Sequence, residues 1–200
     1  MPDGPKKMLL DVMQARRSVR SFASAPVTPD QVQQLLWAGQ GTTSKGGLKT
    51  VPSAHALHPL RLVVVAGHVT GLEPGLYQAG HRDGSLDQLS KGDTRNALKD
   101  AAVEDQTWIS DAPLTISVCA DFVTPTRDFA DQNPYGRRGP TYVAIEAGAA
   151  AQNMMLMAVS LGLGSVLVAG FDDDETARIL GLEAPYSPVL HLSIGVPLPQ

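Results

Sequence analysis

The segment from Thr141 to Leu161 constrains the fold more than any other part of the chain. It contains no proline, and Ala147, Ala150, Ala151, Met154, Ala158 and Leu161 recur along one side at helical spacing. Such a helix is about 30 Å long, and a stripe made mostly of small side chains lets a neighbouring element come close. It needs a broad apolar partner. Leu60 to Val65, Leu114 to Ala120 and Val189 to Val196 supply one, because they are largely apolar and rich in β-branched residues, as strands buried inside a sheet are. Gly75-Leu76-Tyr77-Gln78 and Ser85-Leu86-Asp87-Gln88-Leu89 flank a turn at Asp83-Gly84 and read as a hairpin. Ser165 to Val168 is a further short strand.

Helix boundaries are written in the capping residues. Thr28-Pro29-Asp30-Gln31 is a capping box with proline at the first helical position, so a helix starts there and runs through Val32, Leu35 and Leu36 towards Gly39 and Gly41. Met8 to Ala15, Thr94 to Ala102 and Gln106 to Ser110 are shorter helical patterns, Gly162 stops the long helix, and Asp172-Asp173-Asp174-Glu175 caps one more. Residues 41–59 have no sustained period and read as a functional or mobile loop, and residues 121–140 read as a long, partly helical connection of the sort that makes lids. Neither repeat nor linker divides the chain. The expectation is one α+β domain over residues 1–200, with a central, mostly antiparallel or mixed sheet flanked by helices; 200 residues that are 43% hydrophobic suffice for a core.

Charge and cysteine content narrow the function. With 16 Lys+Arg against 20 Asp+Glu the formal net charge is −4, so the chain lacks the basic field that nucleic acid or an anionic membrane would need. One cysteine, Cys119, makes neither an internal disulfide nor a thiolate zinc site, and its mid-strand position reads as core. The N-terminal residues lack a signal-like apolar run, and no run reaches the ~18 residues of a bilayer span. A cytoplasmic protein with a small-molecule partner is expected.

The informative charge cluster is Arg16-Arg17-Ser18-Val19-Arg20, a local excess of cations inside an acidic protein. Forked guanidinium donors and a hydroxyl suit phosphate oxygens. The same cations would equally serve a solvated helix end, where they complement its dipole. In Val51-Pro52-Ser53-Ala54-His55-Ala56-Leu57-His58-Pro59 the two histidines have no accompanying ligand cluster, and Ser53 has no nucleophile elbow around it, so neither metal binding nor hydrolysis is indicated. Gly162-Leu163-Gly164 runs from helix to strand, the reverse of a dinucleotide-binding turn. Gly170, between a strand and the Asp172 cap, can expose its backbone N–H to a flat ligand.

Taken in order, Arg16-Arg17-Ser18-x-Arg20-x-Phe22, Pro52-Ser53-Ala54-x-Ala56-Leu57-x-Pro59, Glu146-Ala147-Gly148-x-x-x-Gln152-Asn153 and Gly162-Leu163-Gly164 to Gly170-Phe171-Asp172 make the chain resemble the nitroreductase-like flavoprotein family. Its second and third motifs resemble those of the branch related to peptide azoline dehydrogenases. The resemblance implies an α+β homodimer with FMN at the subunit interface and NADH or NADPH as reductant. It implies that Arg16 and Ser18 meet the FMN phosphate, Arg17 the phosphate or ribityl chain, and Arg20 the N1/O2 edge of the ring. Pro52, Ser53, Ala54 and Ala56 would approach the ring from the other subunit, Gln106 would bond the pyrimidine edge, and Leu167, Val168, Ala169 and Gly170 would pack on the ring with an N–H near N5. The small-residue stripe of the long helix would then serve dimer packing. No protein acid or base is required, since the flavin carries the redox chemistry. His55 stands where the branch has glycine, His58 where it has an aromatic, Ala149 where histidine is common and Thr141 where arginine is frequent. The chain also ends at Gln200 without the C-terminal cations with which many relatives hold the phosphate. The implied activity is two-electron transfer to a small organic acceptor such as a nitro compound or quinone. The alternatives are dehydrogenation of an azoline peptide beside a cyclising partner, and flavin binding without turnover.

Overall fold

A computed structural model describes residues 9–80 and 85–199. Seven α-helices are present among them: α1 (Leu9–Ala15), α2 (Pro29–Gln40), α3 (Arg95–Ala101), α4 (Trp108–Asp111), α5 (Val123–Asp128), α6 (Arg138–Ser160) and α7 (Asp173–Ile179). The strands are β1 (Leu60–Ala66), β2 (Gly75–Ala79), β3 (Leu86–Lys91), β4 (Leu114–Asp121), β5 (Gly164–Val168) and β6 (Tyr186–Gly195). They form one sheet in the order β3-β2-β1-β4-β6-β5, antiparallel at every pairing. The expected hairpin is β2 paired with β3; its turn at Asp83-Gly84, like Met8, lies outside the described residues.

Capping chemistry sets the helix starts as the sequence predicts. Thr28 Oγ1 accepts from the Gln31 N–H at 3.2 Å while Gln31 Oε1 accepts from the Thr28 N–H at 2.9 Å, and Asp172 Oδ1 accepts from the Glu175 N–H at 2.8 Å. Two elements extend past expectation. Helix α6 begins at Arg138, with Pro140 in the first turn where a missing N–H costs nothing. Strand β6 begins at Tyr186, and Pro188 is accommodated because the ladder with β4 shifts register beside it, between Val118 and Cys119. The helical part expected within residues 121–140 is α5.

The small-residue stripe of α6 faces inwards. Ala147, Ala150, Ala151, Met154 and Ala158 are fully buried among Leu35, Leu36, Leu62, Ile116 and Val118 of the same chain, so they are not a dimer-packing surface. Their small size instead lets α2 approach, and a Cβ built on Gly39 would stand only 3.0 Å from Met154 Sδ. The face left open on α6 is a different one, formed by Thr141, Ala144, Ile145, Gly148 and Gln152; Ile145 is 62% exposed.

On the other face of the sheet Leu98, Ile109 and Leu180 cover Val63, Val65, Cys119 and Val168. Cys119 is core as expected, and burial pushes its thiol up to about 12. A polar seam crosses β4 and β6, with Thr115 opposite Ser193 and Ser117 opposite His191. His191 is fully buried, its Nδ1 lies 2.9 Å from Ser117 Oγ, and its ring lies 4.4 Å from that of Phe171. Burial lowers its pKa to about 4.

Candidate functional site

The structure divides the predicted site residues between two patches. The first runs along the edge strand β5. Leaving α1, the chain becomes extended: Ser18 bridges Ser165 in parallel, and the Val19 N–H donates to the Ser165 carbonyl at 3.0 Å. Val19 packs on Gly164, where a Cβ would meet its side chain at 2.7 Å. Alternation along the extended segment then turns Ser18 and Arg20 the other way, while the Arg16 N–H still donates to the Val12 carbonyl at 3.0 Å and closes the last turn of α1. Arg17 differs from its neighbours. Its Nη1 donates to the carbonyls of Gln14 at 2.7 Å and Arg16 at 2.9 Å, so it caps the end of α1. The helix-end reading of the cluster holds for this arginine, whereas Arg16 and Arg20 have no carboxylate within ion-pair distance among the described residues. Arg20 rests over the Trp108 ring, 5.1 Å from its centroid.

Gln106 and Gly170 meet at this patch. Gln106 Nε2 donates to Val103 O at 2.7 Å and Gly170 O at 3.2 Å, and the Val103 N–H also donates to Gly170 O. Both amide hydrogens of Gln106 therefore hold the protein together, leaving Oε1 for a ligand. Leu167, Ala169 and Gly170 are exposed, but Val168 is not: strand alternation puts its side chain in the core, 2% exposed, so only its backbone can face a cofactor.

The second patch is the loop before β1. Pro52 and Ala56 are exposed and Ser53 and Ala54 are half-buried. Ser53 Oγ accepts from the His58 N–H at 2.9 Å and faces the buried carboxylate of Glu146, as does the Gln40 side chain. The Ser53 hydroxyl is thus engaged internally. Burial raises the pKa of Glu146, opposed by Ser53, Gln40 and the charge of Lys49, while burial lowers that of Lys49, which donates to Gln40 Oε1 at 2.9 Å. Burial, reinforced by Lys49, also lowers the pKa of His58. Residues 54–56 make a 3-10 turn whose backbone is left-handed, with φ of 50° at His55 and 54° at Ala56, and His58 follows at 48°. Sequence reasoning quoted Glu146 only as part of a motif and missed Lys49, Gln40, Trp108 and Asp128. A buried carboxylate in an otherwise small-residue helix was the available signal for Glu146; partners as remote as Asp128 leave none.

The two patches are not adjacent within one chain. Leu60, where the loop enters β1, pairs with Ala120, whereas Ser165 lies opposite Ile194 and through it Leu114. Three strand spacings and six residues of β4 separate them, roughly 14 Å across the sheet and 20 Å along it.

An α+β protein with an antiparallel sheet, a half-buried Arg16 and an exposed Arg20 that lack ion-pair partners among the described residues, and exposed Leu167, Ala169 and Gly170 at the end of its edge strand belongs to a class suited to a flat, anionic cofactor. The chain belongs to the nitroreductase family, whose description matches residues 13–196. It is 37% identical over 195 residues to MJ1384 of Methanocaldococcus jannaschii, which bears the provisional name of a nitroreductase, covering 98% of this chain and 94% of that protein. It is 25% identical to the FMN reductase [NAD(P)H] of Bacillus subtilis, covering 90% of this chain and 62% of that protein. Among solved structures, a provisionally named nitroreductase from Ralstonia eutropha superposes with a TM-score of 0.81 at 25% identity, covering 100% of this chain and 88% of that one. The fold is that of the family. No helix among the described residues is long and apolar enough to cross a membrane.

Proposed function

We propose that the protein is an FMN-dependent oxidoreductase that carries two electrons from NADH or NADPH to a small organic acceptor, a nitro compound or quinone, in alternating half-reactions. It works as a cytoplasmic homodimer of one-domain chains spanning residues 1–200. The observation that carries this reading is the Arg16/Arg20 pair, half-buried and exposed respectively, unneutralised by any carboxylate within ion-pair distance among the described residues, and flanking Val19, which packs on Gly164. The names of relatives support it: an NADPH-flavin oxidoreductase of Vibrio harveyi and an FMN reductase [NAD(P)H] of Bacillus subtilis.

FMN supplies the redox chemistry when bound, and the chain binds and biases it. Arg16 and Ser18 hold the phosphate, with Arg17 held back at the end of α1. Arg20, rested on Trp108, places a cation at the pyrimidine edge, where it stabilises negative charge that develops on reduction. Leu167, Ala169, Gly170 and the backbone of Val168 line one side, and Gln106 fixes Gly170 and offers Oε1. Pro52, Ser53, Ala54 and Ala56 come from the second chain, because the distance between the patches prevents one chain from closing the site alone. The open α6 face with Ile145 and Gly148 provides the contact between chains.

The purified protein should be yellow and bleach with NADH or NADPH. Arg16→Ala should mainly weaken FMN binding, while Arg20→Ala should also lower the potential of the bound flavin. A colourless protein that takes up no added FMN would end this reading. The Pro52-Ser53-Ala54-x-Ala56-Leu57-x-Pro59 loop favours a second reading, a peptide azoline dehydrogenase working beside a cyclising enzyme. Loss of two hydrogens from an azoline peptide, read by mass, distinguishes it.

A further inference from the structure

His55 is the residue of the second patch that the function above does not use. Its backbone is left-handed, with φ at 50°, a conformation that costs a branched or ring-bearing side chain strain and glycine none. The fold holds a histidine there at a local cost. The imidazole is also held in place. Nδ1 lies 2.6 Å from Asp128 Oδ2, and the ring packs on Phe129 at 4.5 Å between centroids, with Tyr142 set edge-on behind Phe129 at 4.8 Å. Among the described residues Asp128 is the charged group within ion-pair distance of His55; Arg127 and Asp131 flank Asp128 in sequence, and Tyr142 reaches the ring only through Phe129. His55 is 63% exposed, so the ring is fixed at one edge and open at the other.

That arrangement has one chemical reading beyond packing. The carboxylate at Nδ1 sets the tautomer of the neutral ring and offsets the charge of the protonated one, in which the Nδ1 proton is held by Asp128 and the Nε2 proton is the one free to transfer. We propose that His55 donates this proton to the electron acceptor, with Asp128 as its positioning residue. The inference rests on the proposed function, which brings residues 52–56 to the cofactor across the subunit interface. For a quinone acceptor the balance is one hydride, supplied by NADH or NADPH through the cofactor, and one proton. As the acceptor's oxygen gains the electron pair, the Nε2–H bond breaks and an O–H bond forms. The imidazolium becomes neutral imidazole, and solvent returns its proton.

The test separates the half-reactions in flavin-loaded protein. In His55→Gly, which suits the left-handed backbone, reoxidation of the reduced protein by a benzoquinone should slow about a hundredfold, whereas reduction by NADH should change at most a few fold. Added imidazole should restore the rate. Asp128→Asn should slow the same step by a smaller factor. A readout independent of turnover is the nitrogen NMR spectrum of His55 in cofactor-free protein: the neutral ring should carry its proton on Nδ1 and lose that preference in Asp128→Asn. Unchanged quinone reoxidation in His55→Gly, or a neutral ring protonated on Nε2 in the wild type, overturns the assignment of His55 while leaving the proposed function intact. A wild-type protein that takes up no FMN, or whose bound flavin NADH and NADPH both fail to bleach, overturns the proposed function and this inference with it.

Discussion

Acidification should single out His191. In the unfolded chain this histidine titrates near 6.5, and in the fold burial lowers it to about 4. Above pH 6.5 both states hold a neutral ring, and His191 contributes its full stability with no slope. As pH falls from 6.5 towards 4 the unfolded chain takes up a proton that the folded one refuses, so stability declines, by about 3 kcal/mol over the whole interval. The structure gives the reason for the refusal: the ring is enclosed between Phe171 and the β4–β6 seam, Nδ1 is engaged with Ser117, and among the described residues Nε2 has no partner to welcome a second N–H. Urea denaturation of wild type and His191→Asn at pH 7, 6, 5 and 4.5 reads the effect as a difference. Glu146, held above the usual carboxylate range by burial, contributes with the opposite sign, losing stability as pH rises, and it cancels between the two proteins. The wild-type curve should fall more steeply below pH 6.5. Parallel curves would refute the argument, since they would mean that the buried ring accepts its proton as readily as a free one.

Three further predictions follow from packing. Gly164→Ala pushes a methyl group into Val19 and should cost about 1–3 kcal/mol while weakening FMN through displacement of Arg16 and Arg20; thermal melting and flavin titration check both, and an unchanged flavin affinity would disconnect the strand from the anion site. Ile145→Glu on the open face of α6 should leave single chains at concentrations where wild type sediments as a pair, with flavin lost in parallel. Thr28→Ala removes the side-chain acceptor of the α2 capping box and should cost about 1 kcal/mol in urea denaturation, with no change in flavin content.

Features governed by local rules were legible in the sequence. Thr28 and Asp172 announce their helices because a cap is a contact between residues three apart. The central strands are legible because both of their faces are buried. The arginine cluster was visible as composition, but not its division, which depends on how the end of α1 turns: Arg17 bends back to two carbonyls while Arg16 does not. The α6 stripe misled because small residues occupy two faces of that helix. Ala147, Ala150 and Ala151 were the visible set and proved internal, while Ala144 and Gly148 belong to the outer one less obviously. His55 with Asp128 could not be read, because their separation of 73 positions is closed only by the fold.

The distance between the two patches has a consequence for mixtures. In the proposed twofold pair each chain would give its arginine edge to one composite site and its 52–56 loop to the other. A chain crippled at Arg16 and Arg20 and a chain crippled in that loop should each be inert in their own pairs. Hybrid pairs of the two would concentrate both lesions in one site and leave the other whole, so blending two dead preparations, after subunit exchange, would recover colour and turnover that neither possessed.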